Sequence, residues 1–473
     1  MGGPASLLFH RTDRAGDVAG QREESSSLES LVDRGAAVDP RRLAAWVLGG
    51  PPNGAAETPY VGIDVEHVAS PSASRHRRLA SPSLADAPAF LRRALVDAVD
   101  VALAGVRRVA VATGGGLDSA VLLGLATEWA RRTGGSAFAV SLDFGGPGDD
   151  RPHLAALERH LGCEVIRVRP EEAAPRMALL GTGADAAPIP FASMPMEVEL
   201  CARARAHGAD RVLSGAGGDE LFGGSPHALA DLALRGHPLR AVRAAGRLTG
   251  FGRPRSPAWS WVARPLLGRF LPTPVRAWRA RRGDRNAAPS WAGPVARSFA
   301  DEACRLSIAA RQRPPRTGRE RLAATRGDPH RRFLAWGRHQ EEQASRVDCW
   351  DPYLDLDLAA AVTSLRQDYL LFGDRWRGLL RAAVRDLLPD SLRERTDKAR
   401  FEPALQRFTE AAGGLRALLP LASARALASL GLVEPEPFGA AFERFASAPD
   451  DGLAWVALWP VLAAEAFLRG RQP

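Results

Sequence analysis

The chain has 473 residues, of which 45% are hydrophobic and 25% are charged, and its formal net charge is +9. At roughly 100 to 200 residues per domain this length predicts two or three domains, and the ordinary globular composition excludes a disordered or collagen-like chain. The positive charge favours an anionic partner without specifying its kind.

Cysteine usage and hydropathy exclude further classes. No two cysteines form a C-x-x-C pair, so we expect neither a zinc site nor a disulfide framework, and a reducing cytoplasm is the default. The cysteines are Cys163, Cys201, Cys304 and Cys349. The first 25 residues are polar and charged, which predicts no signal peptide. The longest uncharged apolar run, 453–464, contains Pro460 and is too short to span a bilayer. We therefore expect a cytoplasmic protein without a membrane partner.

The first 85 residues carry the weakest pattern. Residues 1–35 are polar and serine-rich without a clear period, so we expect them to be poorly ordered. From 38 to 80, short apolar pieces alternate with turn residues, and this is too little chain for an independent core. We therefore expect residues 1–85 to be a polar tail followed by a reduced region that packs on the rest of the chain.

Residues 86–230 alternate between helical and strand periods. Helices are predicted over 89–104, 117–131, 152–161 and 196–207, and strands over 109–112, 137–142, 165–168 and 211–214. Repeated βα units imply an α/β fold, with a parallel sheet that has helices on both faces. In such folds ligands bind beyond the carboxyl ends of the strands. Two glycine-rich stretches lie at such ends.

The first glycine-rich stretch joins strand 109–112 to helix 117–131. It reads Ala112, Thr113, Gly114, Gly115, Gly116, Leu117, Asp118 and Ser119. Residues without Cβ let backbone N–H groups approach an anion, and the helix N-terminus adds about half a positive charge. The stretch lacks the Gly-Lys-Ser/Thr ending of an NTPase P-loop and the G-x-G-x-x-G spacing of dinucleotide folds. It predicts a nucleotide phosphate site of another kind, with a plain connecting turn as the alternative.

The second stretch follows strand 211–214. It reads Gly215, Ala216, Gly217, Gly218, Asp219 and Glu220. Parallel strands bring Asp118 and Asp219 to one edge, although they are 101 positions apart. Since Mg²⁺ prefers a few carboxylates together with phosphate oxygens, the two aspartates predict a site for ATP and Mg²⁺. In the alternative, Asp118 caps a helix and Asp219 is a turn residue.

Residues 231–332 differ in composition from the α/β region. They contain 23 arginines and six acidic residues, with many prolines. The interleaved tryptophans are Trp259, Trp261, Trp278 and Trp291. Such a segment suits RNA, through phosphates and base stacking, or an acidic leader or extended peptide, through charge and aromatic contacts. A third interpretation is a solvated insertion whose tryptophans pack locally.

Residues 333–473 are helical in period. The apolar residues over 379–388 and 405–418 recur at helical spacing. We expect this part of the chain to form an all-helical layer over the ligand-binding edge of the sheet.

Several ordered motifs resemble one family. Residues 114–119 resemble the pyrophosphate loop, usually Ser-Gly-Gly-x-Asp-Ser, of enzymes that cleave ATP between the α and β phosphates. Residues 215–224 resemble the second signature of the asparagine synthetase superfamily, which includes β-lactam synthetases and the macrolactam-forming cyclases of lasso peptides. Further signatures of this superfamily are similar to 141–144, 351–355, 377–389 and 395–398. The resemblance covers about 87–403 and implies an adenine nucleotide alpha-hydrolase-like synthetase domain that forms amides with ATP and Mg²⁺ and releases AMP.

The resemblance also implies roles for individual residues. Contacts to ATP are expected at Ala112, Thr113, Gly114, Gly115, Gly116, Leu117, Asp118, Ser119, Leu142, Gly215, Gly217 and Gly218. The metal is expected at Asp118 and Asp219, and catalytic roles are expected at Lys398, Asp219 and Glu220. Supporting roles are expected at Asp351, Asp355, Arg377, Arg381 and Arg395, with helix caps or ordinary helix surface as the alternative.

Lys398 has support that is independent of the resemblance. It is the only lysine in the chain, where arginine supplies every other permanently charged cation. An ammonium is a compact charge that can approach a single oxyanion oxygen and can exchange a proton, whereas guanidinium is a wide fork that stays protonated. The single lysine therefore indicates a position at which guanidinium does not serve, with an exposed lysine as the alternative.

Departures from the family pattern narrow the expected activity. Glutamine-using asparagine synthetases need a cysteine after the initiator methionine, where this chain has Gly2. Residues 58–63 resemble a piece of the glutaminase domain, so we interpret 1–85 as its reduced remnant. Gly114 replaces the usual serine, and Thr113 is the candidate for the missing hydroxyl. At the position of Ala216, asparagine synthetases have the Glu of a sequence similar to Gly-Glu-Gly-Ser, and β-lactam synthetases have a tyrosine. Residues 215–220 are instead similar to the sequence Gly-x-Gly-Gly-Asp-Glu of lasso cyclases.

The resulting prediction is a lasso peptide macrolactam cyclase. The Asp or Glu side chain of a precursor peptide attacks the α phosphorus of ATP, and the N-terminal amine of the peptide then displaces AMP. The expected partners are the precursor peptide, a leader-binding protein and a leader peptidase, while nucleic acid is disfavoured. The alternatives are an asparagine synthetase-like or β-lactam synthetase-like ligase for small molecules, a tRNA-modifying pyrophosphatase, and a non-catalytic peptide-binding scaffold.

Overall fold

The computed structural model describes residues 5–12, 22–32, 36–49, 58–69, 81–146, 149–248, 258–268, 270–272, 274–275, 288–311, 317–326, 329–395, 401–447 and 452–471. The strands are β1 (Ala5–Thr12), β2 (Arg22–Ser25), β3 (Ile63–Ala69), β4 (Arg108–Ala112), β5 (Ser136–Leu142), β6 (Val165–Val168), β7 (Arg211–Leu213) and β8 (Asp348–Trp350).

The α-helices up to residue 268 are α1 (Pro40–Val47), α2 (Ala87–Ala102), α3 (Leu117–Thr133), α4 (Arg151–Leu161), α5 (Leu179–Thr182), α6 (Met194–Ala206), α7 (Gly218–Phe222), α8 (Pro226–Leu234), α9 (Pro238–Arg247) and α10 (Ala258–Gly268). The later α-helices are α11 (Pro294–Arg311), α12 (Gly318–Arg326), α13 (Pro329–Ser345), α14 (Leu356–Ser364), α15 (Gly378–Ala383), α16 (Asp390–Arg393), α17 (Glu402–Ala411), α18 (Gly414–Ala422), α19 (Arg425–Ser429), α20 (Pro435–Ser447) and α21 (Gly452–Gly470). Short 3-10 segments span Glu29–Leu31, Pro170–Ala178, Pro352–Leu354 and Gln367–Asp374.

The central sheet is parallel, in the order β6-β5-β4-β7-β8. Side chains of β4 alternate between its two faces: Val109 and Val111 pack with α2 and α3, and Ala110 packs with α6. Both faces of the sheet are therefore covered by helices, as predicted. The predicted strands and helices of residues 86–230 are confirmed, with bounds that differ by one or two residues.

Strand β8 was not predicted. It consists of only three residues, Asp348, Cys349 and Trp350, and pairs with β7. So short a segment carries no readable period, and its pairing depends on a neighbour more than 100 residues away in sequence. The expectation that 333–473 is entirely helical is therefore wrong at this strand.

The expectation that residues 1–35 are poorly ordered is wrong for β1 and β2. The order of the second sheet is β2-β1-β3, and its pairs are antiparallel. Leu7 and Phe9 of β1 are buried, and the Phe9 ring lies 5.2 Å from that of Trp336. Two inward side chains in a polar segment give little signal in the sequence, but a partner on α13 and pairing with β3 order the strand.

The C-terminal helices cover two different parts of the molecule. The segment from Asp351 to Arg395 lies over the ligand-binding edge of the parallel sheet, as expected. Helices α18 to α21 instead pack with α1 and the antiparallel sheet, around Trp459 and Phe467. The predicted helix 405–418 is interrupted at Gly413, whose φ is +101°, and the predicted helix 379–388 ends at Ala383.

The first part of the arginine-rich region belongs to a small helical unit. Helices α8, α9 and α10 share a core that contains Leu229, Ala241 and Val262. Trp291 is buried in the core around the antiparallel sheet, whereas Trp259 is 60% exposed. Trp278 lies outside the described residues. Across the described part of the chain, no helix has both the length and the apolar composition needed to cross a bilayer.

Candidate functional site

The first glycine stretch turns the chain sharply from β4 into α3. Gly116 is the N-cap of α3, and Gly115 has a φ of +73°. A Cβ at Gly115 would lie 3.2 Å from the side chain of Asp150, and one at Gly114 would lie 3.3 Å from a carboxylate oxygen of the same residue. The glycines therefore allow Asp150 to lie directly against the loop, beside the N-terminus of α3.

Thr113 and Ser119 join the two ends of this loop. The Thr113 hydroxyl donates to Oγ of Ser119 at 3.0 Å, and the Thr113 backbone N–H donates to the carbonyl of Val140. Thr113 is buried. Its hydroxyl thus lies beside the site, next to the position of Gly114, where the resemblance leads us to expect a serine.

The second glycine stretch packs on the start of α3. A Cβ at Gly218 would lie only 2.6 Å from Cγ of Asp118, and a Cβ at Gly215 would lie 3.1 Å from the backbone N of Ser119. Gly217, with a φ of +88°, is the N-cap of α7, and Asp219 lies in its first turn. The absence of side chains at these positions is what lets the two loops meet.

Asp118 and Asp219 are joined by Arg377. One Arg377 nitrogen lies 2.9 Å from Oδ2 of Asp118, and the other forms an ion pair with Oδ1 of Asp219. The N-cap of α3 is Gly116, and Asp118 lies in the first turn of the helix. The alternative in which Asp118 serves only as a cap is therefore wrong, and the two predicted metal ligands lie together.

The Arg377 backbone explains its position. Its φ of +54° places it in the left-handed region, immediately before α15. Gly378 follows, and a Cβ there would collide with the carbonyl of Phe372. This tight turn directs a buried guanidinium toward both aspartates. Few non-glycine residues adopt a positive φ, and those that do cluster at functional sites.

Two further arginines lie in the same cavity. Arg395 donates to the carbonyl of Gly115 at 3.0 Å and forms an ion pair with Asp150 at 2.6 Å, and both side chains are buried. Arg381 donates to the carbonyl of Arg395 at 2.9 Å and to that of Arg393. The alternative of ordinary helix surface is wrong for Arg377, Arg381 and Arg395, because all three side chains are withdrawn from solvent.

The electrostatics around Arg381 favour an anion. Burial, followed by the neighbouring Arg375 and Arg377, lowers the pKa of Arg381 to about 10. It stays charged at neutral pH, but its protonated form is disfavoured, first by burial and then by repulsion from these two cations. An anionic ligand in the cavity would relieve this repulsion.

The two loops and the arginines surround a cavity of about 430 Å³, a size typical of small-molecule sites. The residues on its walls are Ala112, Thr113, Gly114, Gly116, Leu117, Asp118, Ser119, Leu142, Phe144, Asp150, Leu200, Gly215, Asp219, Arg377, Arg381, Arg395 and Phe401. Leu142, Phe144, Leu200 and Phe401 make one part apolar, and the rings of Phe144 and Phe401 lie edge to face at 6.3 Å. The cavity therefore combines an apolar part suited to a base with a polar part suited to phosphates.

The sequence analysis missed some of these residues. Asp150, Leu200 and Phe401 were not proposed, and Phe144 was noted only within a motif. Asp150 follows a strand end by eight residues, so its place at the ligand-binding edge was detectable in principle. Phe401 offered no signal, because a lone aromatic residue is usually part of a core.

The other predicted residues are placed as follows. Gly115, Gly217 and Gly218 shape the loops without lining the cavity, and Glu220 is exposed outside its walls. The carboxylate of Asp355 accepts from the backbone N of Leu358 and caps α14. Lys398 lies outside the described residues, between Arg395 and Phe401, both of which line the cavity. The assigned roles of all these residues stay predictions.

Asp351 belongs to a network behind the second glycine loop. It accepts from the hydroxyl of Ser214 and forms an ion pair at 3.1 Å with Arg338, which also pairs with Glu341. The Ser214 oxygen accepts in turn from the backbone N of Ala216 at 3.2 Å. Asp351 therefore braces the loop that carries Asp219.

A parallel α/β fold with a glycine loop, paired aspartates and buried arginines at its carboxyl edge defines the class of ATP-using synthetases. The family model described as asparagine synthase matches residues 90–469, which is most of the chain. The chain belongs to this family, whose members are ATP-dependent ligases that form amide bonds, and it is an AMP-forming ligase. No curated protein sequence is significantly similar to the chain.

Proposed function

We propose that this ligase closes a peptide into a macrolactam, as lasso peptide cyclases do. It would adenylate an Asp or Glu side chain of a precursor peptide and join it to the N-terminal amine of the same peptide. The observation that carries the proposal is Ala216 in the second glycine loop. Its methyl group can neither donate a hydrogen bond nor act as acid or base, so the loop offers neither the Glu of asparagine synthetases nor the Tyr of β-lactam synthetases.

The donor set at the loops fits Mg²⁺. Asp118 and Asp219 present carboxylate oxygens, the ligands that Mg²⁺ prefers, and here they share the positive charge of Arg377. These two residues would hold the ion. A bound Mg²⁺ neutralises phosphate charge and so favours departure of pyrophosphate.

The first step is adenylation. Backbone N–H groups of 114–119 and the N-terminus of α3 would hold the phosphates, and Leu142, Phe144 and Phe401 would contact the base. A peptide carboxylate oxygen attacks the α phosphorus, and the bond to the β-phosphate oxygen breaks. Arg377, Arg381 and Arg395 would stabilise the charge that develops on the departing pyrophosphate.

The second step forms the amide. The N-terminal amine attacks the acyl carbon, loses a proton, and displaces AMP. Lys398 would stabilise the oxyanion of the tetrahedral intermediate, an effect worth about 10² to 10³ in rate. Holding the amine against the activated carbon supplies up to roughly 7 to 11 kcal/mol in ideal cases. A precursor peptide, a leader-binding protein and a leader peptidase are the partners that this function implies.

The test uses the full chain with ATP and Mg²⁺. Linear synthetic peptides with a free N-terminus and a single Glu at varied positions serve as substrates. We expect AMP and pyrophosphate in equal amounts and a peptide product lighter by one water. An N-acetylated peptide should give no cyclic product. A peptide with Gln in place of the Glu should release no pyrophosphate. The Asp219→Asn variant should give neither cyclic product nor pyrophosphate.

Two results would contradict the proposal. Pyrophosphate release with free amino acids, but with no peptide, would assign the chain to small-molecule ligases. No release with any carboxylate would favour a scaffold that binds peptide without turnover.

A further inference from the structure

A second cavity lies beside the arginine-rich helices. Its volume is about 320 Å³, and it is bounded by the end of α8, the start of α12 and the segment that follows α14. The polar residues on its walls are Ser81, Asp231, Arg235, Thr317, Arg319, Ser364, Arg366 and Gln367. Three arginines and one aspartate thus line this cavity.

The positive charge of this cavity is only partly compensated. The carboxylate of Asp231 accepts a hydrogen bond from the backbone N–H of Gly318 at 2.8 Å, and Arg366 forms an ion pair with Asp368. Arg319 donates to the carbonyl of Ser364 at 3.3 Å, and neither it nor Arg235 has an acidic partner among the described residues. Arginines on the walls of a cavity suit an oxyanion, because the guanidinium fork matches carboxylate and phosphate.

The walls of this cavity are fixed by packing. A Cβ at Gly318 would lie 2.7 Å from Cβ of Gln367, so α12 begins in direct contact with the segment that leads to Arg377. The hydroxyl oxygen of Thr317 accepts a hydrogen bond from the backbone N–H of Glu320. Segments that pack directly on one another therefore form the walls of this cavity.

Helix α8 connects this cavity with the nucleotide cavity. It begins two residues after Gly224, where a Cβ would lie 3.6 Å from the ring of Trp376, the neighbour of Arg377, and it ends next to Arg235. At 1.5 Å per residue its nine residues span about 14 Å. Four or five residues of an extended peptide, at about 3.3 Å each, cover the same distance.

The surface beside the cavity is both basic and apolar. Leu234 and Leu239 are exposed in the α8–α9 turn, next to Arg235, and Arg240 and Arg243 are exposed on α9. Charge complementarity thus calls for an acidic ligand, and exposed leucines favour apolar neighbours in it. A peptide supplies both in one chain.

We propose that the cavity between Arg235, Arg319 and Arg366 is a subsite for an acidic side chain in a non-reacting segment of the peptide substrate. This inference rests on the proposed function, because it takes the peptide that is adenylated at the first cavity as its ligand. The subsite would hold the peptide in register while its reacting carboxylate lies at the nucleotide.

The test measures binding without turnover. The probe is a fluorescein-labelled octapeptide of alternating Glu and Leu, and its partner is the Gln and Leu version. We expect Arg235→Gln and Arg319→Gln each to raise the Kd for the Glu probe about tenfold. The Kd for the Gln probe should stay within about twofold. Arg240→Gln, an exposed arginine on α9, is the matched control and should also stay within about twofold.

Several results would overturn the subsite. Equal losses in Arg240→Gln and Arg235→Gln would indicate a diffuse field instead of a site. Displacement of the probe by inorganic phosphate at constant ionic strength would assign the cavity to a free anion, and tighter binding of an octauridylate RNA that depends on the same arginines would assign it to nucleic acid.

The subsite and the proposed function fail in different ways. Cyclisation with unchanged Kd in both arginine variants refutes the subsite alone. Absence of pyrophosphate release with every peptide, while the variants still lose binding, refutes the proposed function alone. A variant that failed to fold would lose binding of the Gln probe as well, so the Gln probe controls for folding of the variants.

Discussion

Arg338, whose side chain is 20% exposed, and the buried Arg381 of the first cavity have different partners. Arg338 pairs with Asp351 and Glu341 in the interior, and these carboxylates raise its pKa well above the usual value although burial opposes this. Arg381 donates to backbone carbonyls beside other cations, and its pKa is lowered to about 10. The charge of the neighbouring groups, and not burial alone, therefore decides whether the pKa of each of these two arginines is raised or lowered.

The largest effect is expected for Arg338→Met. The substitution leaves Asp351 and Glu341 buried without their cation, which typically costs about 3 to 5 kcal/mol in unfolding free energy. Urea unfolding of Arg338→Met against the exposed Arg243→Met measures the difference. A loss of unfolding free energy below about 1 kcal/mol would mean that Arg338 does not stabilise the fold through its pairs with Asp351 and Glu341.

Arg377→Met should show the opposite pattern. Asp219 is half exposed, so water can solvate its carboxylate, whereas Asp118 is only 15% exposed; we therefore expect a smaller destabilisation than in Arg338→Met. The rate of AMP formation should fall about 10² to 10³-fold, because the cation that joins the two predicted metal ligands is lost. Parallel unfolding and pyrophosphate assays check both. A large loss of stability with normal turnover would reverse the comparison.

Glu342 extends the comparison to pH. Burial raises the pKa of Glu342 from 4.5 to about 7, so between these values the folded chain holds a proton that the unfolded chain releases. Stability should therefore fall as pH rises through this window and stay lower above it, by an amount on the order of 3 kcal/mol at most. Glu342→Gln keeps an acceptor for the backbone N of Cys349 and should flatten this dependence.

Unfolding midpoints at pH 5 and pH 7.5 measure this effect. Glu410→Gln, an exposed change on α17, is the control and should leave the pH dependence as it is. An equal slope in Glu342→Gln and the unmodified chain would contradict the assignment.

The smallest effect is expected for Arg395→Lys. One guanidinium nitrogen of Arg395 contacts both Asp150 and the carbonyl of Gly115. A lysine keeps the positive charge, but its side chain is one bond shorter and reaches this point less well. We expect AMP formation to fall about tenfold at saturating ATP, with a smaller change in the KM for ATP. The reason is that the first glycine loop would shift slightly while still binding ATP. Steady-state kinetics separate the two. A change confined to KM would mean that Arg395 acts only in ATP binding.

What the sequence predicts well is local. The helices and strands of 86–230, the glycine loops and the meeting of Asp118 with Asp219 follow from short periods and from the rule that parallel strands end at one edge. Arg377 joins these aspartates through a left-handed turn, which no periodicity encodes. Likewise β1 depends on Trp336, and β8 on β7, so their order arises from contacts that the sequence does not reveal.

The central claim is that a single ammonium group at Lys398 serves AMP formation at the cavity of Asp118 and Asp219. Lys398→Arg tests it most directly, since the charge is kept and only its shape and proton chemistry change. AMP formation should fall about 10² to 10³-fold, while the unfolding midpoint and ATP affinity match those of the unmodified chain. Unchanged AMP formation in Lys398→Arg would contradict the claim.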